Sequence, residues 1–239
     1  GLSVGSWARA PKGVLKRRLL RRLLTPFGRE LCPQRWIFVV GCYNSGTTLL
    51  RDLLGRHPQI TCLPSEGVRL ADGLPRPEDV GWHRMWSQCV DVVRLDPRAA
   101  DAEARAARIR RQWSLAVPGA ATNVLEKSIA NAARLPFLEA HFRPAWFVHL
   151  VRDGYAVSEG IRRKSEPRRF GHDEFGDRYP IGLCARQWRA SLETAAADRE
   201  QLQRFLEIRY EKLSAEPAAT LAGITEFLEL PPLPDTEWR

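Results

Sequence analysis

Residues 36–56 read WIFVVGCYNSGTTLLRDLLGR. Residues 36–40 form a short, continuous apolar run, a pattern typical of a fully buried parallel strand. The turn at residues 41–46 follows directly, and residues 47–56 have the pattern of a helix that ends before His57 and Pro58. A strand, a tight turn and a helix in direct succession aim backbone N–H groups and a helix N-terminus at one point. This arrangement predicts an anion-binding site.

Short apolar segments alternate with segments of helical periodicity along the rest of the chain. Further strands are predicted at residues 60–63, 124–126, 146–151 and 206–210. Further helices are predicted at residues 101–117, 130–142, 155–164, 181–202 and 217–228. Residues 64–84 are rich in Gly and Pro and are predicted to form an irregular loop. Strands that alternate with helices predict an α/β fold of three layers, with a mostly parallel central sheet flanked by helices.

The length of 239 residues is enough for one domain with a core that needs neither disulfides nor a metal to fold. Hydrophobic residues make up 44% of the chain and charged residues 27%, as in globular proteins. No apolar run approaches the roughly 18 residues that cross a bilayer, and no signal peptide is visible. Because the chain begins with Gly1 rather than Met, a membrane anchor trimmed from its N-terminus stays open.

The five cysteines are odd in number, widely spaced and without a C-x-x-C pair: Cys32, Cys42, Cys62, Cys89 and Cys184. This pattern argues against a zinc site and against a disulfide framework. It favours a reducing compartment, so we expect a cytoplasmic protein. All five cysteines are expected to be small buried or half-buried residues.

The net charge of +9 is concentrated at the N-terminus. Residues 1–35 carry nine Arg and Lys residues against the single acidic residue Glu30, so the remaining chain is nearly neutral. A nucleic-acid-binding domain spreads its basic residues over the folded body, and we therefore expect no nucleic-acid partner. The chain is divided into a basic N-terminal segment, residues 1–35, and a single domain, residues 36–239.

Residues 13–24 (GVLKRRLLRRLL) place apolar residues at helical spacing, with basic residues largely on the other face. A basic amphipathic helix of this kind suits an anionic membrane surface and would place the protein at the periphery of a membrane. The same pattern fits a helix that packs on its own domain with the basic side outward. Both interpretations stay open.

The turn at residues 41–46 has the glycine spacing of the pattern G-x-x-x-x-G-K-[ST], but Thr47 stands where that pattern has lysine. The lysine neutralises β- and γ-phosphates, so its absence argues against hydrolysis of ATP or GTP. Gly46 allows the backbone to approach an anion closely, while Ser45, Thr47 and Thr48 add hydroxyl donors. The loop suits a ligand with one 5' phosphate-like group.

Residues 38–60 (FVVGCYNSGTTLLRDLLGRHPQI) resemble the 5'-phosphosulfate loop of sulfotransferases, most closely the branch that includes the tyrosylprotein sulfotransferases. The resemblance lies in the S-G-T-T core, followed by L-L and H-P. It implies a P-loop-like fold and an enzyme that moves a sulfuryl group from PAPS (3'-phosphoadenosine 5'-phosphosulfate) to a hydroxyl acceptor, leaving PAP. The acceptor stays open between tyrosine, a sugar, a lipid and a small alcohol.

The resemblance also implies which loop residues bind the donor: Tyr43, Asn44, Ser45, Gly46, Thr47 and Thr48. The chain departs from the family at one of them, because the family usually has Lys or Arg where this chain has Asn44. That cation normally helps to carry charge on the oxygen between the donor's phosphate and sulfate. Its absence puts the catalytic detail of the loop in question.

A second motif, RDGYAVS at residues 152–158, follows the strand predicted at residues 146–151. It resembles the family's 3'-phosphate site, in which an Arg follows the strand and a Ser lies on the next helix. Arg152 suits this task because its planar fork binds phosphate bidentately. Ser158 is the candidate serine, although the family commonly has it at the position of Gly160. The alternative is that Arg152 only pairs with Asp153 at the strand end.

Sulfuryl transfer should resemble phosphoryl transfer, in which the protein mainly positions the reactants and stabilises charge. The sulfuryl group carries less charge than a phosphoryl group, so no metal is required. By resemblance to the tyrosylprotein branch, Glu66 is the expected general base and Lys127 the cation at the sulfate. Both could instead be ordinary surface charges, and His83 is the alternative base. His149 lies in mid-strand and is interpreted as a core histidine.

A third, less specific likeness lies near the C-terminus, where Tyr210 follows the last predicted strand. Tyr210 is expected either near the nucleotide or in packing.

Two functions other than sulfuryl transfer stay open. Asn44 and Gly160 together fit a catalytically degenerate sulfotransferase fold that only binds a nucleotide or a membrane. A P-loop kinase is the other alternative, and Thr47 argues against it.

Overall fold

The computed structural model describes residues 21–119 and 121–233. Five strands form one sheet: β1 (Arg35–Gly41), β2 (Ile60–Cys62), β3 (Asn123–Lys127), β4 (Ala145–Val151) and β5 (Phe205–Arg209). Their order across the sheet is β2-β3-β1-β4-β5, and all neighbouring strands run parallel. The central position of β1 explains its unbroken apolar sequence, because both of its faces are covered. The predicted α/β fold with a mostly parallel sheet is confirmed.

Nine α-helices lie entirely within the described part of the chain: α1 (Thr47–Leu54), α2 (Gly67–Leu70), α3 (Val90–Val93), α4 (Ala102–Ser114), α5 (Leu135–His141), α6 (Gly154–Arg163), α7 (Ile181–Asp198), α8 (Tyr210–Ala215) and α9 (Pro217–Phe227). Short 3-10 turns lie between them, at Pro77–Val80, Trp86–Gln88 and Ile129–Ala133 among other places. The loop predicted at residues 64–84 thus contains α2 and one 3-10 turn, and α3 and α8 were not predicted.

The helix predicted at residues 130–142 is interrupted. A 3-10 turn ends at Ala133, Arg134 leaves the helical conformation with φ −140°, and α5 begins only at Leu135. Pro136 explains the break, because proline lacks an N–H group and is accepted only in the first turn of a helix. Residues 181–202 end similarly, since α7 stops at Asp198 and a 3-10 turn at Arg199–Gln201 follows.

Alternate residues of β1 pack into separate cores on the two faces of the sheet. Trp36 and Phe38 face a cluster that includes Trp113 on α4. Ile37 and Val39 face a second cluster with helices α1 and α9. All four β1 side chains are buried. The two cores fix the sheet between layers of helices and thereby fix the direction in which its carboxyl edge points.

The described part of the basic N-terminal segment packs on the domain. Leu31 is 1% exposed and belongs to the core beside α4, and Glu30 pairs with Arg110 on that helix. Residues 21–24 are helical, whereas the rest of the helix predicted at residues 13–24 lies outside the described residues. The division of the chain at residue 35 stays a prediction.

The cysteine prediction holds for four of the five residues. Cys42 and Cys184 are buried, Cys62 and Cys89 are half-buried, and all five thiols are free. Cys32 is exposed, so its expected burial is wrong: it follows the buried Leu31, and its own side chain points to solvent. None of the helices in residues 21–119 and 121–233 combines the length and the apolar character that crossing a bilayer requires.

Candidate active site

Most of the predicted site residues converge at the carboxyl edge of the sheet. Because all five strands are parallel, their carboxyl ends meet at one edge, where open α/β folds bind ligands. A cleft of about 610 Å³ lies there. Eight predicted residues line it: Tyr43, Asn44, Gly46, Thr47, Thr48, Glu66, Lys127 and Arg152.

The turn between β1 and α1 has the geometry of an anion cradle. Asn44 and Gly46 take left-handed backbone conformations, with φ 61° and 94°. A Cβ atom on Gly46 would lie 2.5 Å from the ring of Tyr210, so glycine is required there for space as well as for conformation. No side chain caps the N-terminus of α1. Its first N–H groups, with Thr47 and Thr48, therefore face the cleft as anion donors.

Two predicted binding residues lie apart from the cleft lining. Ser45 is 1% exposed and its hydroxyl donates to the carbonyl of Cys42 at 2.5 Å, which closes the turn. Ser158 is 4% exposed and its hydroxyl donates to the carbonyl of Gly154 at 2.6 Å. In this conformation both hydroxyls are engaged with the backbone, and neither residue lines the cleft.

Arg152 connects the end of β4 with the loop after β1. Its Nη1 donates to the carbonyl of Asn44 at 2.9 Å, and its guanidinium lies 4.2 Å from the centre of the Tyr210 ring. Asp153, the alternative partner, instead caps α6 by accepting from the N–H of Ala156. The carbonyl of Arg152 is held by the indole N–H of Trp188. The guanidinium is thus fixed at the cleft with further N–H groups available to an anion.

Glu66 and Lys127, 61 residues apart in sequence, form an ion pair of 2.8 Å between Oε1 and Nζ. Their side chains are 26% and 9% exposed. A second contact of Glu66, from Oε2 to Arg69 Nε, measures 3.5 Å. An ammonium has three donors, so Lys127 can hold Glu66 and an anion at the same time. The arrangement places a carboxylate and a cation together in an anion-binding cleft.

Buried Glu126 explains why Glu66 reaches Lys127. Its Oε1 accepts from the N–H of Gly67 at 2.8 Å and from the hydroxyl of Ser128, while the indole N–H of Trp113 donates to the carbonyl of Gly67. A Cβ atom on Gly67 would lie within 2.7 Å of both neighbours. Only glycine lets this loop close on β3, and Glu66 is carried to the cleft with it. Burial raises the pKa of Glu126 from 4.5 to about 7.

Neither His83 nor His149 is placed to act as the base. His83 lines the cleft, but its Nδ1 accepts the N–H of Glu166, and burial, assisted by Arg84, lowers its pKa to about 4. The neutral ring then carries its proton on Nε2, so His83 offers the cleft a donor rather than a base. His149 is 1% exposed and contacts Glu207 on β5. This agrees with its interpretation as a core histidine.

Several charged residues of the cleft were missed at the sequence level. Six cationic side chains line it against three acidic ones, Glu66, Glu78 and Glu159. The six are Arg69, Arg84, Lys127, Arg152, Arg163 and Lys164. The basic run at residues 162–164 could have been found, because it ends the helix that follows Arg152. Arg84 could not, since the loop that carries it has no periodicity.

The two departures from the family pattern, Asn44 and Gly160, lie against each other. A Cβ atom on Gly160 would approach Cβ and Cγ of Asn44 to 2.9 Å. Asn44 therefore occupies space that Gly160 leaves open, and the two substitutions form one local arrangement rather than two separate losses. Within residues 21–119 and 121–233, no group of three or more His, Cys, Asp and Glu side chains is arranged to hold a metal ion.

Two solved structures of similar fold are sulfotransferases. A sulfotransferase domain from the curacin biosynthetic pathway matches with a TM-score of 0.55 and 23% identity, over 86% of this chain and 77% of that one. A sulfotransferase from Mycobacterium tuberculosis H37Rv matches with a TM-score of 0.56 and 18% identity, over 95% of this chain and 77% of that one. At these identities the likeness establishes the fold.

Curated relatives are protein-tyrosine sulfotransferases. That of Danio rerio (protein-tyrosine sulfotransferase 1) is 28% identical over 82% of this chain and 53% of its own length. That of Caenorhabditis elegans (protein-tyrosine sulfotransferase A) is 23% identical over 82% of this chain and 50% of its own length. The chain thus spans about half the length of the curated relatives it matches. A model of the sulfotransferase family matches residues 36–235, most of this chain, and the chain belongs to that family.

Proposed function

We propose that this chain is an enzyme that transfers a sulfuryl group from PAPS to a hydroxyl acceptor. The observation that carries the proposal is the ion pair of Glu66 and Lys127 inside a cationic cleft, beside an uncapped helix N-terminus. A nucleotide with phosphates at both its 5' and 3' ends matches the cleft's two anchoring regions, the turn before α1 and Arg152. The cleft volume of about 610 Å³ lies in the range of sites that enclose ligands of this size.

PAPS supplies a sulfuryl group on a good leaving group. The S–O bond to the donor phosphate breaks, a bond from the acceptor oxygen to sulfur forms, and PAP leaves. Lys127 balances charge on the transferred group, and the N-terminus of α1 binds the 5' phosphate. Glu66 accepts the proton that the acceptor hydroxyl loses, so charge and protons balance without a metal. Arg152 holds the 3' phosphate.

The acceptor belongs to the class of hydroxyl compounds, and tyrosine in a peptide is the first to test. This choice rests on the curated relatives, which are named for protein tyrosine. Radiolabelled PAPS should be incubated with the protein and a panel of tyrosine peptides, sugars, lipids and small alcohols. Appearance of label in one class supports the proposal. PAPS binding without transfer to any class would favour a catalytically degenerate fold.

A membrane surface is proposed as a second partner, through residues 13–24. Of this segment, the described residues 21–24 are helical and present exposed apolar side chains. Leu23 is 63% exposed and Leu24 42%, and nearby Phe27 is 80% exposed. Apolar groups beside basic ones suit the boundary between lipid headgroups and acyl chains. Binding to anionic vesicles tests this contact.

A further inference from the structure

Arg84 lies in the cleft on a loop between the 3-10 turns Pro77–Val80 and Trp86–Gln88. Its backbone has φ 60°, a conformation that costs free energy for a residue with a long side chain. The guanidinium lies 5.1 Å from the centre of the Tyr43 ring, and Nη2 donates to Oδ1 of Asn44 at 3.1 Å. The backbone N–H points to Oε1 of Glu78 at 3.4 Å. The strained loop thus delivers a fixed cation to the β1–α1 turn.

Asn44 holds two guanidinium groups with its two oxygens. Its side-chain oxygen accepts from Arg84, and its main-chain oxygen accepts from Arg152. A cationic side chain at this position could not accept from Arg84. Gly160 supplies the space in which the amide of Asn44 lies. Asn44 and Gly160 therefore act together to bring Arg84 to the turn.

Two donors in this arrangement are left without a partner among the described residues. Nε of Arg84 and Nδ2 of Asn44 are both shielded from solvent and make no hydrogen bond. A buried unpaired donor is unfavourable, and more so when it belongs to a charged group. Arg84 itself lines the cleft, so an anion bound there would balance the charge of a guanidinium whose hydrogen bonds are incomplete.

Arg84 and the expected base, Glu66, line the same cleft. Tyr43 is buried, which raises the pKa of its hydroxyl, and the charges of Glu78, Arg84 and Glu66 all act on that hydroxyl. The guanidinium of Arg84 lies 5.1 Å from the centre of the Tyr43 ring, which also lines the cleft. Arg84 contacts the side chain of Asn44, whereas Arg152 contacts the main-chain oxygen of Asn44 and the ring of Tyr210. With Arg152 assigned to the 3' phosphate, Arg84 is left for the other end of the donor, where the proposed base Glu66 also lines the cleft.

We infer that Arg84 binds the sulfuryl group of the donor and that Asn44 is the residue that positions it. This inference rests on the proposed function, because it names the residue that contacts the transferred group in that same site. Arg84 would supply charge and paired N–H donors where negative charge gathers on the oxygens of the transferred group. Lys127 is then one of two cations at that group.

The test compares the affinities for PAPS and for PAP, which differ by the sulfuryl group, and it needs no acceptor. Arg84→Gln should weaken PAPS binding about 10- to 100-fold, the loss expected for a charged hydrogen bond, and leave PAP binding within about threefold. Arg84→Lys should lose less, because it keeps the charge but not the fork. Arg168→Gln is the control, since Arg168 is an exposed arginine paired with Asp177 outside the cleft.

Asn44→Gly tests the positioning role while allowing the same backbone conformation. It should lower the PAPS affinity in the wild-type background and change little when Arg84 is already Gln, because the two residues then act as one unit. An equal loss of PAPS and PAP affinity in Arg84→Gln would overturn the inference. Arg84 would then only stabilise the loop. The inference would also be overturned if Arg84→Gln bound PAPS as tightly as the control Arg168→Gln does. A wild type that binds neither ligand would instead overturn the proposed function itself.

Discussion

Replacing Glu66 by glutamine removes the expected base while keeping the size of the side chain. Its amide oxygen can still accept from Lys127, across the 2.8 Å that now separates Nζ from Oε1. The ion pair is partly exposed, so its loss should cost no more than about 1 kcal/mol of unfolding free energy. General base catalysis contributes roughly 10²–10⁴-fold, and turnover should fall by that factor. PAP affinity should hold or rise slightly, because an anionic neighbour of the phosphates has been neutralised.

The assay is transfer of label from PAPS to the best acceptor, together with calorimetric titration of PAP. Glu193→Gln is the matched control, because Glu193 is 65% exposed and pairs with Arg189 on the surface of α7. Near-wild-type turnover in Glu66→Gln would refute the assignment of the base. Glu78 would then be the next candidate for the base, because it lines the cleft and burial raises its pKa. His83 is the weaker substitute, because its Nδ1 is already an acceptor.

Three further outcomes are expected. Arg152→Ala should weaken PAP binding by about 1.5–3 kcal/mol in a folded protein, measured by titration, and unchanged affinity would show that it does not hold the 3' phosphate. The pKa of Glu126 in the folded protein lies above its ordinary value. The free energy of unfolding of the wild type, measured in urea relative to that of Glu126→Gln, should therefore fall as the pH rises from about 5 to 7 and level off above that. A difference that does not depend on pH would contradict this. Anionic vesicles should sediment the full chain more than a version beginning at Thr25, and less in high salt, whereas equal sedimentation would assign residues 13–24 to packing.

Local sequence was sufficient for the strand, turn and helix at residues 36–56, because a buried run, a glycine turn and a helical pattern are all short-range signals. The β1 and α1 elements follow that prediction closely, although α1 ends at Leu54 rather than residue 56. Pro136 was visible in the sequence and could have divided the helix predicted at residues 130–142. The packing of Leu31 into the core was not visible, since the charge pattern of the N-terminal segment says nothing of which apolar residue reaches the domain.

The contacts within the site depend on long-range closure and were beyond the sequence. Glu66 pairs with Lys127 because Gly67 is hydrogen-bonded to Trp113 and Glu126. Both partners of Gly67 are distant from it in the chain. In the sequence, Asn44 and Gly160 together suggested a loss of catalytic machinery. In the structure Asn44 accepts a hydrogen bond from Arg84, a residue that no local pattern marks.

The central claim is that the cleft accepts a nucleotide with 5' and 3' phosphate groups rather than a nucleoside triphosphate. Thermal unfolding with PAP and with ATP, each at the same concentration, tests it most directly. At a hundredfold excess over its dissociation constant, a bound ligand adds about 2.7 kcal/mol, which corresponds to roughly 5–10 °C in Tm for a domain of this size. PAP should produce a shift of that order and ATP a much smaller one. Equal shifts with the two nucleotides, or none with PAP, would contradict the assignment.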